Sequence, residues 1–290
     1  MPPACRCAGE IGGVIMGASD PLTRSRGRRK AIPVTELGKG ATGGSARPRP
    51  DWLPLASALG IVGLVLAPLL FGFEPIGGDP DLMYRPIKKE LATALRAGTL
   101  PYWCDGFGLG MPLVAESHAG AFYPVNWLAY RFLNVHAAYR LLMWAHFVAC
   151  AWGTYAYARV LGIGGWGSAL AGLSFALGGF QASHACHEPF YMLMPYLPLC
   201  LICAERYLAG GGKGWLAGLA LCWGAQLTLG HFQIQMWTAG LVALTGIWRL
   251  ARDRANWRRP AFLLAGLAWG LAVAWVQLQL TSELPRVSGF

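Results

Sequence analysis

The sequence predicts an all-α polytopic membrane protein, with about seven transmembrane helices and a large first extracytoplasmic loop that carries amphipathic helices. Three observations carry that expectation. Of 290 residues, 55% are hydrophobic and only 13% are charged, against about 25% charged in an average soluble domain. The apolar residues fall in long runs, most of them close to the roughly 20 residues a helix needs to cross a bilayer, and a soluble all-helical core does not call for runs of that length. The basic residues are bunched, with nine Lys or Arg in the first 50 positions and five from Arg249 to Arg259, as in the cytoplasmic segments of membrane proteins. Membrane topology thus accounts for the net charge of +10, and no nucleic-acid partner is expected.

The chain opens with residues 1–51, rich in Gly, Pro, Arg and Ser and without hydrophobic period. They are expected to form a disordered basic cytoplasmic tail, or to reflect translation from a start codon placed too early. The apolar patch at 11–16 is too short for a signal peptide. Residues 52–290 are expected to form the transmembrane domain, with spans at 53–73, 137–160, 166–183, 190–207, 215–229, 234–250 and 261–280. With the N-terminus cytoplasmic, the inner connections carry Arg159, Arg206, Lys213 and the Arg249–Arg259 group, while the short outer loops 184–189 and 230–234 carry no Lys or Arg. That asymmetry agrees with the positive-inside rule.

The first outer loop, 74–136, holds the chemistry. It keeps two carboxylates, Asp79 and Asp81, just past the first span, and carboxylates beside a bilayer are costly to retain without a use. From Asp81 to Ala97, residues Leu82, Ile87, Leu91, Ala94 and Leu95 share a helical face. Asp81 suits an N-cap and Gly98 a stop. This helix is expected to lie on the outer surface with Arg85, Lys88, Lys89 and Arg96 toward lipid phosphates. A second surface helix is expected within 119–133, and Trp103, Phe107, Phe122, Tyr123, Trp127 and Tyr130 suit the membrane–water boundary. The Gly-rich run 106–110 follows no strand and is read as a flexible turn rather than a phosphate-binding loop.

Polar residues of the later spans gather on the same outer side: His184, His187 and Glu188; His231, Gln233 and Gln235; Gln277, Gln279 and Glu283. The His184-x-x-His187-Glu188 spacing fits metal ligands, with His231 or Asp79 as a third, but lining of a water-filled cavity and substrate contact are the preferred reading, and no metal or cofactor is expected. His118, beside Glu116, is a further substrate-contact candidate. His146, mid-span, is expected to make a helix–helix hydrogen bond. Cys200-x-x-Cys203 lies within a span without a second pair and is read as small packing residues, and no Cys104–Cys186 disulfide is expected.

The run Gly78-Asp79 with Tyr84 and Pro86, the helix ending in Arg96-Ala97-Gly98-Thr99-Leu100-Pro101-Tyr102-Trp103, then Gly110-Met111-Pro112-Leu113 and Phe122-Tyr123-Pro124-Val125-Asn126-Trp127, resembles the YfhO family of bacterial membrane proteins. The likeness continues through His146, Tyr155 and Arg159, Pro195 to Pro198, Glu205-Arg206, Gly230-His231-Phe232-Gln233 and 277–288. That family is similar to the GT-C glycosyltransferases. The resemblance implies a GT-C-like helical bundle in the bacterial cytoplasmic membrane, forming the N-terminal part of a longer domain. It implies transfer of a sugar from a polyprenyl-phosphate donor to an extracytoplasmic glycan, lipid or protein acceptor. It also implies a catalytic carboxylate in the first outer loop: Asp79, or next Asp81. Such transfer needs a base for the acceptor hydroxyl and positive charge for the departing phosphate, for which Arg85, Lys88, Lys89 and Arg140 are the candidates. Tyr84, Trp103 and Tyr123 complete the expected substrate contacts. Two other readings stand beside it: a transporter or flippase of a lipid-linked substrate, and a non-catalytic, truncated membrane protein.

Overall fold

A computed structural model describes residues 52–106 and 110–288, with side chains through residue 284. The tail expected at 1–51 and Phe107 lie outside the described residues. All regular elements among them are helical, and the one bridge of strand type pairs Cys104 with Met111. The expectation of an all-α chain is met.

Each apolar run is helical, but several are broken. The first is α1 (Trp52–Val65) followed by a single turn, α2 (Ala67–Leu70), with Pro68 at its start. The second is α5 (Val135–Val160), whose N-terminus Asn134 caps by accepting the Ala137 N–H at 2.8 Å. The third divides into α6 (Gly165–Leu177) and α7 (Gly179–Ser183) at Gly178, whose extended backbone interrupts the ladder. The fourth divides into α8 (Glu188–Leu193) and α9 (Tyr196–Leu208) at Pro195, which has no N–H to carry the helix through. Then follow α10 (Gly214–Leu227) and α11 (Phe232–Arg252). The last run divides into α12 (Arg258–Val273) and α13 (Trp275–Ser288).

Among the described residues, no single helix is long and apolar enough to cross a membrane. The pair Arg258–Val273 and Trp275–Leu284 meets that requirement only together, across a 66° bend. Of the seven expected spans, 137–160, 215–229 and 234–250 are single helices, α5, α10 and α11, and the other four are jointed.

The long α5 is the centre of one core, where Leu142, Met143, Phe147 and Cys150 pack among Val62, Tyr191 and Leu193. A second core joins α9, α10 and α12 through Cys200, Cys203, Leu219, Trp223 and Leu263. Cys200 and Cys203 thus serve as packing residues, and Cys104 and Cys186 are free thiols. The outward faces of the same helices are apolar: Leu64 on α1, Leu244 and Ile247 on α11, and Leu264 and Trp269 on α12 are more than half exposed.

The insert between α2 and α5 covers one end of this bundle. A π-helical turn, Pro80–Tyr84, leads into α3 (Arg85–Ala97), which stops at Gly98 in the left-handed conformation, φ 75°. After the 111–121 segment comes α4 (Pro124–Phe132). The inward face of α3 consists of Ile87, Lys88, Leu91, Ala92 and Leu95, whereas Leu82 is exposed. The expectation that Lys88 turns to lipid phosphates is corrected here. Lys88 lies three residues before Leu91 and seven before Leu95, on the face that packs inward, and it is fully buried. Nor does Asp81 cap the helix. It sits within the π-helical turn and accepts the Gly77 N–H.

Candidate functional site

The site is built around a strap, residues 112–121, tied down from four parts of the chain by three side chains and one backbone N–H. Lys88 Nζ donates to the carbonyls of His118 and Ala119, both at 2.9 Å. Asn126 Nδ2 donates to the Gly120 carbonyl at 3.1 Å. The Gly230 N–H donates to the Ser117 carbonyl at 3.0 Å. Thr281 Oγ1 on α13 donates to the Ala115 carbonyl at 2.7 Å. Gly120, at φ 61°, makes the turn at the end of the strap, and a side chain there would strike Asn126. Gly230 allows a close approach, because a Cβ there would strike Ser117 Oγ and lie 2.8 Å from the His118 nitrogen.

Beneath the strap lies a buried ion pair. Lys88 Nζ is 3.0 Å from Glu188 Oε1, and both side chains are at least 97% buried. Two carbonyls accept from the Lys88 ammonium, and the Glu188 carboxylate stands beside it as the ion-pair partner. Both Glu188 carboxylate oxygens and the Tyr130 hydroxyl are buried with no hydrogen-bond partner among the described residues. Burial pushes the Glu188 carboxyl above its ordinary value, against the opposing pull of the Lys88 ammonium.

Above the strap, toward solvent, is a histidine–carboxylate cluster. His118 Nδ1 is 2.6 Å from Glu116 Oε1, which also accepts the His118 N–H at 3.0 Å. Burial would raise the Glu116 carboxyl, but these hydrogen bonds and the nearby Lys88 charge outweigh it and hold the group below its ordinary value. The Tyr84 ring lies 6.3 Å from the His118 ring. Burial, then the charges of Asp79 and Glu188, push the Tyr84 hydroxyl up. His187 Nε2 is 3.4 Å from Asp79 Oδ2, and both side chains remain partly open to solvent. The His187 ring is 5.6 Å from that of His184. Phe190 touches His184 at 4.5 Å and His231 at 4.2 Å between centroids. Burial, together with the fields of His118, His184 and His187, pushes the His231 imidazole below its ordinary value.

Beside the cluster is a groove of about 660 Å³ between α6, α7, α9 and α11, with almost entirely apolar walls that include Phe175, Leu197, Met236 and Leu241. Phe180 joins the two. It lines the groove, stacks on His184 at 4.4 Å, and lies 6.0 Å from Trp237, another lining residue.

The sequence-predicted residues therefore divide. Asp79, Tyr84, His118, His184, His187, Glu188 and His231 come together at this end. Arg85 and Arg140 belong to a neighbouring network around Glu74. Arg85 is 3.3 Å from Glu74 and 2.8 Å from Asp81, and it donates to the Pro75 carbonyl. Arg140 is 3.7 Å and His136 is 2.8 Å from Glu74. Asp81 thus faces Arg85, and Asp79 faces the histidines. Tyr123 is enclosed rather than open to a substrate, with its hydroxyl 2.9 Å from His146 Nε2 and 2.7 Å from the Tyr196 hydroxyl. Burial pushes its hydroxyl up to about 12. The hydrogen bond expected of His146 thus reaches the insert as well as the Leu142 carbonyl of its own helix. Trp103 is exposed and packs over Gly110. Gln233 is exposed beside His231. No group of three or more His, Cys, Asp or Glu among the described residues is arranged to hold a metal ion.

Three features escape sequence reasoning. Glu74 gathers Arg85, His136 and Arg140, and its only signal is an acid at the end of an apolar run. Gly230 meets Ser117 across 113 positions of chain. The groove forms because α6 breaks at Gly178, and the glycines there give no sign of what they open onto. Comparison with known family models, with characterised proteins and with solved structures finds no match.

Proposed function

We propose that this chain is a membrane-embedded transferase of the GT-C kind, moving a sugar from a polyprenyl-phosphate donor to an acceptor on the outer side of the bacterial cytoplasmic membrane. The observation that carries this reading is the joining of an apolar groove to a histidine–carboxylate cluster through Phe180. A lipid-linked sugar has the same two parts, a hydrocarbon tail and a polar head. The exposed apolar faces of α1, α11 and α12 support a place in the bilayer, since a soluble surface rarely carries contiguous patches of that kind. Jointed helices suit such a place where the breaks are buried or line a cavity.

In this reading Asp79 is the base. It accepts the proton of an acceptor hydroxyl while that oxygen bonds to the anomeric carbon. The bond from that carbon to the phosphate oxygen breaks, and the phosphate leaves with the electron pair. His118, His184 and His231 supply N–H donors to the leaving phosphate, a role the sequence reading gives to Arg85, Lys88, Lys89 and Arg140. His187 holds the Asp79 carboxylate in place. Lys88 and Glu188 act as positioning residues, because they fix the strap that carries His118.

The breaks in the α6–α7 and α12–α13 pairs favour a second reading, a transporter of a lipid-linked substrate. One assay separates them. Membranes containing the chain are supplied with a radiolabelled polyprenyl-phosphate sugar and a mixture of envelope acceptors. A transferase yields labelled product that disappears in Asp79→Asn. Label that crosses the membrane still attached to its lipid supports the transporter and overturns the transferase.

A further inference from the structure

A second cleft is lined by none of the strap's residues or of those that hold it. It runs between α10 and α12, encloses about 540 Å³, and is floored by small residues, Ala217, Ala220 and Gly266. Its walls are Leu221, Phe262 and Trp269, each more than half exposed. Gly266 is buried against α10, where a Cβ would lie 3.0 Å from Leu219. The floor is therefore set by close helix packing rather than by a missing side chain.

The cleft has a charged head. Lys213 lines its end, is exposed, and has no anionic partner among the described residues. Arg259 lies beside it. Its guanidinium donates to the carbonyls of Tyr207 at 2.6 Å and Gly211 at 3.2 Å and covers the Tyr207 ring, which also lines the cleft. From residue 205 to 259 the chain carries seven Lys or Arg against two acids, Glu205 and Asp253. Glu205 is already paired with Arg249 at 3.1 Å. Lys213 is thus a cation at the head of an apolar slot, on a face with a surplus of positive charge.

We propose that this cleft is a binding site for an anionic phospholipid of the inner leaflet. One acyl chain lies along Ala217, Ala220 and Trp269, and the phosphate sits on Lys213 with Arg259 alongside. Basic pockets between helices on the cytoplasmic side are suited to anionic headgroups, and a cleft of this size falls in the range that encloses a small ligand. The proposal rests on the membrane reading above and not on sugar transfer.

The test is native mass spectrometry of the full chain in detergent, titrated with phosphatidylglycerol or with phosphatidylcholine of the same acyl chains. The wild type is expected to hold one phosphatidylglycerol about tenfold more tightly than phosphatidylcholine. Lys213→Glu should remove that preference while weak phosphatidylcholine binding persists. Ala217→Leu, which fills the slot from an exposed position, should weaken both lipids. Equal affinity in the wild type overturns the proposal, as does a preference that survives Lys213→Glu, or a dimer that forms in place of lipid binding. Thermal melts of both variants identify any that fails to fold, and Lys213→Gln then replaces the charge reversal. A chain that purifies as a soluble monomer without detergent defeats the membrane reading itself, a result distinct from loss of lipid preference.

Discussion

Replacing Lys88 by Met removes the charge beneath the strap while keeping most of the side-chain volume. Three contacts go with it: the 3.0 Å pair with Glu188 and the two 2.9 Å hydrogen bonds to the His118 and Ala119 carbonyls. Breaking a buried ion pair from one side costs about 3–5 kcal/mol, because the other charge is left without compensation. Each buried carbonyl stripped of its donor adds about 1–3 kcal/mol. These sums share the same desolvation, so a net loss of about 4–6 kcal/mol is expected. The loss should depend on pH. Without Lys88, the buried Glu188 carboxyl titrates still further above its ordinary value, so the folded state favours the protonated acid. A group raised in this way is least costly below its unfolded value, about 4.3, and stability falls as pH rises through the folded value. The deficit of Lys88→Met should therefore be smallest near pH 4–5 and grow toward neutrality. Equilibrium denaturation in detergent at several pH values measures it, with Glu188→Gln and the double variant closing a cycle. The double variant should lose less than the sum of the singles, because neither partner is left charged and alone. A loss below about 1 kcal/mol, or strict additivity, would refute the buried pair as the anchor of the strap.

Three further outcomes follow from the same geometry. Gly230→Ala places a methyl group against Ser117 and the His118 nitrogen, and the overpacking should cost about 1–3 kcal/mol in denaturant unfolding. The His231 imidazole is held below its ordinary value, so its neutral form favours folding. That contribution is complete above about pH 6.5 and lost as pH falls through the depressed value, so His231→Gln should flatten the acid side of a stability–pH curve. Gly240→Leu fills the apolar groove from a position where a Cβ meets nothing within 4 Å. It should raise the KM for a polyprenyl donor several-fold without unfolding the chain, and an unchanged KM would remove the groove from the donor path.

The helices were legible in the sequence because their signal is local. Apolar runs and the Gly98 stop each act within a turn or two. The gathering of Asp79, His184, His187, Glu188 and His231 at one end was legible too, since alternating helix direction places alternate loops together. The face of α3 was misread because Lys88 was counted as a surface cation, although its spacing to Leu91 and Leu95 puts it on the buried stripe. What decides its fate is Glu188, a hundred positions away, and no local pattern encodes that pairing. The separate surroundings of Asp79 and Asp81 were equally hidden. Two residues apart, one just before and one within the π-helical turn, they face different partners, His187 and Arg85.

That separation gives the most direct test of Asp79 as the base. Sugar transfer from a radiolabelled polyprenyl-phosphate donor is measured for the wild type, Asp79→Asn and Asp81→Asn in the same membranes. Removing a general base costs about 10²–10⁴-fold, so Asp79→Asn should fall by that factor in kcat. Asp81→Asn, which leaves Arg85 paired with Glu74, should keep activity within about tenfold, since Asp81 is open to solvent and a solvent-screened ion pair carries only about 1 kcal/mol. The reverse order, with Asp81→Asn inactive and Asp79→Asn active, would contradict the assignment of the histidine cluster as the reacting centre.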